Sequence, residues 1–196
     1  GGQSLGRLEM PAPGRHNASN ALAAVAAARD AGIDPLEAIA AMKSFAGVKR
    51  RLEVKGEAAG VVVYDDFAHH PTAIEETIAA LRSQLGPKRR ILAVFEPRSN
   101  TMKLGTMKAR LPQALSDADR VFCYRGPGVD WDPAIALLPL GMKASTFSGA
   151  VEDLAQAVAT AARKGDVVLC MSNGSFGGIH QKILDELAKR QAKTAG

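Results

Sequence analysis

The run Asp65-Asp66-Phe67-Ala68-His69-His70-Pro71-Thr72 sets two acids and two imidazoles side by side. Such a set could hold a metal, grip a ribose or face an anionic substrate. Zinc fits poorly, because adjacent histidines lack the usual ligand spacing and no Cys/His cluster completes a tetrahedron. Asp66 and Thr72 are also consistent with plain capping of a following helix, although capping explains neither His69 nor His70. A second polar run, Glu96-Pro97-Arg98-Ser99-Asn100-Thr101, offers a planar guanidinium fork suited to a carboxylate or phosphate, with hydroxyl and amide donors beside it. Pairing of Arg98 with Glu96 explains the same residues equally well. In a third run, Ser172-Asn173-Gly174-Ser175-Phe176-Gly177-Gly178, small residues would let backbone N–H groups approach an anion at a helix N-terminus. Its glycine spacing departs from G-x-G-x-x-G, so dinucleotide binding gains little.

Two upstream features join these. Asn17 and Asn20 are three residues apart and share a face if helical, where their amides suit a purine edge or merely a helix start. In Lys49-Arg50-Arg51 a cation could reach a phosphate, or the run could be a solvated basic linker.

The elements that must carry these residues alternate. Residues 17–29 are Ala-rich and predict a helix ended by Gly32, and Asp34-Pro35 opens a second one. From Val48 the pattern changes to strands at 52–55 and 61–64, read as a hairpin, then strands at 91–95, 120–124, 144–147 and 167–171. Helices are expected at about 71–85, 103–115, 151–163 and 178–189. The expected fold is α/β: a Rossmann-like, mostly parallel sheet with helices on both faces, preceded by a short helical segment. Residues 1–47 read as the end of one domain and 48–196 as a second. In such sheets ligands gather at the carboxyl ends of strands, where all three polar runs fall.

Composition narrows the field. The 196 residues carry a formal charge of +5, with 46% hydrophobic, 23% charged and 5% aromatic residues, which excludes disordered, collagen-like and coiled-coil chains. The positive charge is spread along the chain and aromatics are sparse, so no nucleic-acid partner is expected. No apolar run nears the ~20 residues of a membrane span, and no targeting signal is expected. Cys123 and Cys170 lie in apolar runs and read as buried free thiols of a reducing, cytoplasmic protein.

In order, GRHNASNALAA, FAGVKRRLE and DDFAHHPTAI resemble the Mur ligases of bacterial cell-wall synthesis, along essentially the whole chain. FEPRSNTMKLG and MSNGSFGGIHQK look most like the branch that joins UDP-N-acetylmuramate to L-Ala-γ-D-Glu-meso-diaminopimelate in peptidoglycan recycling. The sibling branch that adds L-alanine shares DD-x-x-HHPT and is the alternative.

The resemblance implies an ATP-dependent ligase working through an acyl phosphate. It implies adenine contacts for Asn17 and Asn20, an ATP-phosphate contact for Arg51 and a ribose contact for Asp66. His69, His70 and Thr72 would face the reaction centre, with His70 and Arg51 as the catalytic pair. Arg98, Ser99, Asn100, Ser172, Asn173, Gly174 and Phe176 would hold the peptide. Magnesium ligands are expected upstream of these residues, and no obligate protein partner is implied. No G-x-x-x-x-G-K-[ST] occurs in the chain, so residues 1–47 are expected to be the end of a central ATPase domain, and the chain alone is expected not to ligate. A non-catalytic nucleotide- or peptide-binding module is the rival from another class.

Overall fold

The computed structural model describes residues 4–8, 14–45 and 47–194. The chain divides into two units, Gly1–Lys49 and Arg50–Gly196.

The first unit holds helices α1 (Arg15–Asp30) and α2 (Pro35–Ala41), the latter running into a single 3₁₀ turn, Met42–Ser44. Helix α1 ends in a Schellman motif: the Ile33 N–H reaches the Ala28 carbonyl, the Gly32 N–H reaches Arg29, and Gly32 takes φ +89°. Asp34 then caps α2, its Oδ1 accepting from the N–H groups of Leu36 at 2.8 Å and Glu37 at 3.4 Å, with Pro35 preorganised in the first turn. Among this unit's described residues only Ala21 is buried, while Leu22, Leu36 and Phe45 stay exposed.

The second unit is built on one six-stranded sheet of β1 (Glu53–Ala58), β2 (Val61–Asp66), β3 (Ile91–Phe95), β4 (Arg120–Tyr124), β5 (Ala144–Phe147) and β6 (Val167–Met171). The spatial order is β1-β2-β6-β3-β4-β5; β1 runs antiparallel to β2 and the other pairs are parallel. The β1–β2 turn is two residues, Ala59 and Gly60, both at positive φ, the combination that matches the right-handed strand twist. The predicted strand cores coincide with β3, β4, β5 and β6. Gly56, expected to take part in the hairpin turn, instead lies in β1 beside a register shift between Val54 and Gly56.

Helices cover both faces. Ile91, Ala93 and Phe95 of β3 pack with α3 (Pro71–Leu85) and α5 (Leu111–Ala114), whereas Leu92 and Val94 pack with α7 (Val151–Ala161) and α8 (Ile179–Thr194). Every β3 and β6 residue is buried, as a strand covered on both faces requires. Two expectations need correction. The helix expected over 103–115 is broken into α4 (Asn100–Lys103), a 3₁₀ turn at Lys108–Arg110, and α5, because Gly105 adopts φ +71° and Pro112 cannot continue a helix from upstream. The segment from 125 to 143, for which no element was expected, carries α6 (Pro133–Ala136) and a 3₁₀ stretch, Leu138–Lys143. It delivers buried Trp131, whose Nε1 donates to the Met102 carbonyl at 2.7 Å.

Candidate active site

Strands β2, β6 and β3 are neighbours that end in register, with Asp66 and Phe95 both opposite Met171. The three polar runs therefore emerge from one sheet edge. The Ser172 N–H donates to the Asp66 carbonyl at 3.1 Å and the Glu96 N–H to Met171 at 3.4 Å, so the loops are hydrogen-bonded at their roots. Above these roots, Ser172 Oγ donates to buried Glu96 Oε1 at 2.5 Å and accepts from the Gly174 N–H at 2.9 Å. The small residues of the third run thus shape a loop closed on a buried carboxylate.

Arg98 lies across that loop. A Cβ placed on Gly174 would sit 2.5 Å from its Cδ and 2.6 Å from its Cζ, so only glycine admits the guanidinium there. The Glu96–Arg98 pairing foreseen as the alternative exists, but loosely, at 3.9 Å, and Arg98 stays 52% exposed. Its neighbours separate. Ser99 caps α4, accepting from the Met102 N–H at 3.4 Å, while Asn100 is exposed. Asn173 Oδ1 is buried with no hydrogen-bond partner.

In the β2 loop neither Asp66 nor Thr72 caps α3. The cap is His70, in extended conformation with Pro71 following, and its carbonyl accepts from the Ile74 N–H at 2.9 Å. His69 Nδ1 is 2.9 Å from the Phe67 carbonyl and its ring meets Phe67 edge-on. Both imidazoles are half-buried, and Thr72 is exposed, its hydroxyl 3.5 Å from Arg110 Nη2.

Asp66, expected at the ribose, is anchored within the second unit. Its carboxylate is 2% exposed; Oδ1 accepts from the Ala68 N–H at 2.8 Å and Thr77 Oγ1 at 3.3 Å, and Oδ2 from the Leu52 N–H at 2.8 Å. Burial pushes its pKa above the ordinary aspartate value, against the lowering effect of these bonds and of Arg51. What Asp66 does here is tie down the turn that bears Arg51.

That turn is strained. Arg50 (φ +60°) and Leu52 (φ +49°) both occupy the left-handed region, at a cost of about 1–3 kcal/mol each for a side-chain-bearing residue. Arg50 compensates with Nη2 bonds to the carbonyls of Ser172 at 2.5 Å and Gly174 at 2.8 Å, and an Nε bond to Asp65 Oδ2 at 3.2 Å. Arg51, between the two, is exposed, its guanidinium 5.9 Å from the Phe67 ring centre. The basic run is thus neither one solvated stretch nor one site: Arg50 is tied inward and Arg51 is presented outward.

Phe176, expected to help hold the peptide, is buried. At 1% exposure it packs beneath the loop against Tyr124, as core. Asn17 and Asn20 lie in α1 of the first unit, Asn17 half-buried and Asn20 exposed. Spacing missed His180 outright and gave Arg50, Asp65 and Glu96, though they lie in the polar runs, no separate role. Arg50 and the loop it grips are 122 residues apart, so no local signal joins them. His180 was hidden in an amphipathic helix, and its Nε2 stands 3.1 Å from Asp65 Oδ1, at ion-pair distance but outside hydrogen-bond alignment. Among the described residues no group of three or more His, Cys, Asp or Glu side chains could hold a metal ion, and no helix is long and apolar enough to cross a membrane.

Residues 50–174 match the family described as Mur ligase, glutamate ligase domain, and these are more than half of the chain. The chain belongs to the Mur ligase family. It is 49% identical over 189 residues to the UDP-N-acetylmuramate–L-alanyl-γ-D-glutamyl-meso-2,6-diaminoheptandioate ligase of Escherichia coli K12, covering 96% of this chain and 41% of that protein. A UDP-N-acetylmuramate–L-alanine ligase of Streptomyces coelicolor is 40% identical, over 90% of this chain and 40% of its own length. The crystal structure of a murein peptide ligase from Psychrobacter arcticus matches with a TM-score of 0.72 at 40% identity, covering 92% of this chain and 38% of that one. The chain spans about two fifths of the length of these Mur ligases. Its α/β sheet is the Mur ligase C-terminal fold, as the sequence motifs implied.

Proposed function

We propose that this chain is the C-terminal part of a cytoplasmic, ATP-dependent ligase that joins UDP-N-acetylmuramate to L-Ala-γ-D-Glu-meso-diaminopimelate through an acyl phosphate. The observation that carries the reading is 49% identity, along 96% of the chain, to the ligase named for that tripeptide. In this reading residues 1–47 end a central ATPase domain and 48–196 form the C-terminal domain.

Each residue then has a task. Asn17 and Asn20 lie toward the adenine. Arg51, an exposed cation held by a strained turn, neutralises phosphate charge as the acyl phosphate forms and as phosphate leaves. His69 and His70 face the peptide amine, and a neutral imidazole there accepts the proton released when the amine attacks the carbonyl carbon. The exposed fork of Arg98 and the half-buried amide of Asn173 suit the carboxylates and polar backbone of a peptide. Ser99, Ser172 and Gly174 shape these loops, and Thr72 opens α3 beside them. In this reading the magnesium ligands belong to the part of the ligase upstream of these residues.

The test is calorimetric titration of the full-length protein with the tripeptide and, in parallel, L-alanine, followed by mass detection of the ATP-dependent product. Tripeptide binding that is lost in Arg98→Ala, with the matching UDP-muramyl-tripeptide formed, supports the reading. A preference for L-alanine overturns it in favour of the alanine-adding branch.

A further inference from the structure

Beneath the 172–174 loop lies a polar cluster with no part in the chemistry above. Arg50 has its side chain mostly covered and donates to two segments distant from it in sequence: Asp65 of β2, and the carbonyls of Ser172 and Gly174 beyond β6. Its own backbone is fixed as well, the N–H donating to Glu53 Oε2 at 2.9 Å and the carbonyl accepting from the Phe67 N–H at 2.8 Å. The guanidinium also lies 5.1 Å from the Phe67 ring centre. Asp65 is held by Arg50 on Oδ2, and His180, in the first turn of α8, stands 3.1 Å from Oδ1.

Stability alone is a poor account of such a cluster. Desolvating charged groups can cost as much as their attraction returns, and apolar residues of similar volume often serve a core equally well. What the cluster supplies that apolar packing cannot is directional bonds between segments distant in sequence. Those segments are the loop on which Arg98 lies and the turn that carries Arg51.

We propose that Arg50, Asp65 and His180 are positioning residues that lock the 172–174 loop and the Arg51 turn into one rigid piece, fixing the spacing between the peptide-side and phosphate-side groups. The inference rests on the ligase reading for its functional consequence. Lysine cannot replace Arg50, because a compact ammonium lacks the rigid fork needed to span Asp65 and two carbonyls. Arg50→Lys keeps the charge and loses the lock.

The test compares wild type, Arg50→Lys, Asp65→Asn and His180→Gln in the full-length enzyme. Each substrate is varied separately in steady-state kinetics, and amide hydrogen exchange is followed in parallel. For Arg50→Lys the expected result is a fall in kcat of at least about tenfold with a rise in peptide KM, as a displacement near 1 Å at a reaction centre produces. Exchange should accelerate at 50–52 and 173–176 while the amides of β3 and β4 keep wild-type rates. Asp65→Asn and His180→Gln should show the same pattern more weakly, and they carry the test if Arg50→Lys fails to fold. Kinetics within twofold of wild type in a folded variant, or exchange that accelerates evenly over the sheet, would overturn the proposal. If the wild type does not ligate the tripeptide, the ligase reading fails. The exchange pattern then decides the positioning role alone: acceleration confined to those two segments supports it, and unchanged rates there refute it.

Discussion

Gly174→Ala separates the stability of the C-terminal unit from the geometry of its site. The added methyl would lie 2.5 Å from Cδ and 2.6 Å from Cζ of Arg98, and closer still to Nε. Ordinary contact between such atoms is about 3.5–4.0 Å, so the guanidinium must withdraw by about 1 Å or more. The obstacle is a flexible side chain, 52% exposed and tied only by a 3.9 Å ion pair to Glu96. Releasing it should therefore cost under about 1 kcal/mol, a melting shift within roughly 4 °C for a chain of this size. The site should lose far more. Misplacing a binding group by about 1 Å can cost on the order of 100-fold in rate, so kcat/KM for the tripeptide should fall by about 10- to 100-fold while KM for ATP holds. Steady-state assays of the full-length enzyme and thermal melts of the same variant make the comparison. Adding Arg98→Ala to Gly174→Ala should cause little further loss, since both changes remove one fork. Peptide kinetics within twofold of wild type, or losses that multiply in the double variant, would show that the position of Arg98 over this loop is not used.

Further outcomes follow from the geometry. Burial raises the pKa of Asp65, but His180 and Arg50 outweigh it and hold the carboxyl below its ordinary value, so its stabilisation is present above that value and lost as pH falls through the lowered one. Asp66, raised by burial, does the opposite: its contribution is full below the ordinary value and lost as pH rises through the raised one. Urea melts between about pH 3 and 6 should therefore show Asp65→Asn losing less stability than wild type on acidification, and Asp66→Asn losing more. Gly105→Ala combines a left-handed φ of +71° with a methyl 2.7 Å from the Trp131 ring, and should destabilise by about 2–4 kcal/mol. Trp131 is the only tryptophan, so its emission should shift red as the indole loosens. Phe176→Ala should cost about 3–5 kcal/mol, measured by denaturant melts, because the ring is core.

The limits of sequence reading here follow from range. The strands β3, β4 and β6 were legible because a strand buried on both faces is an unbroken apolar run, and α3 because Pro71 and Gly86 bracket it. The convergence of the three loops was legible because parallel strands share a carboxyl edge. The inward turn of Arg50 was not, since adjacent arginines are chemically identical and only the neighbouring carbonyls tell them apart. The burial of Phe176 was not legible either: its polar, glycine-rich neighbours describe a surface loop, while the ring itself is 1% exposed. Asp66 stood beside a helix start, and its bond to the Leu52 N–H, 14 residues away, left no local signal.

The two flanks of the sheet carry a consequence for how the domain behaves in concentrated solution. An open sheet presents unpaired N–H and C=O groups along each outer strand, a template on which another chain can polymerise. On one flank β1 is interrupted by its register shift and bears Glu53, Lys55 and Glu57; on the other, β5 is only four residues long. Neither flank offers a long, flat, uncharged strand, so the six-stranded sheet resists growth into fibrils from either side.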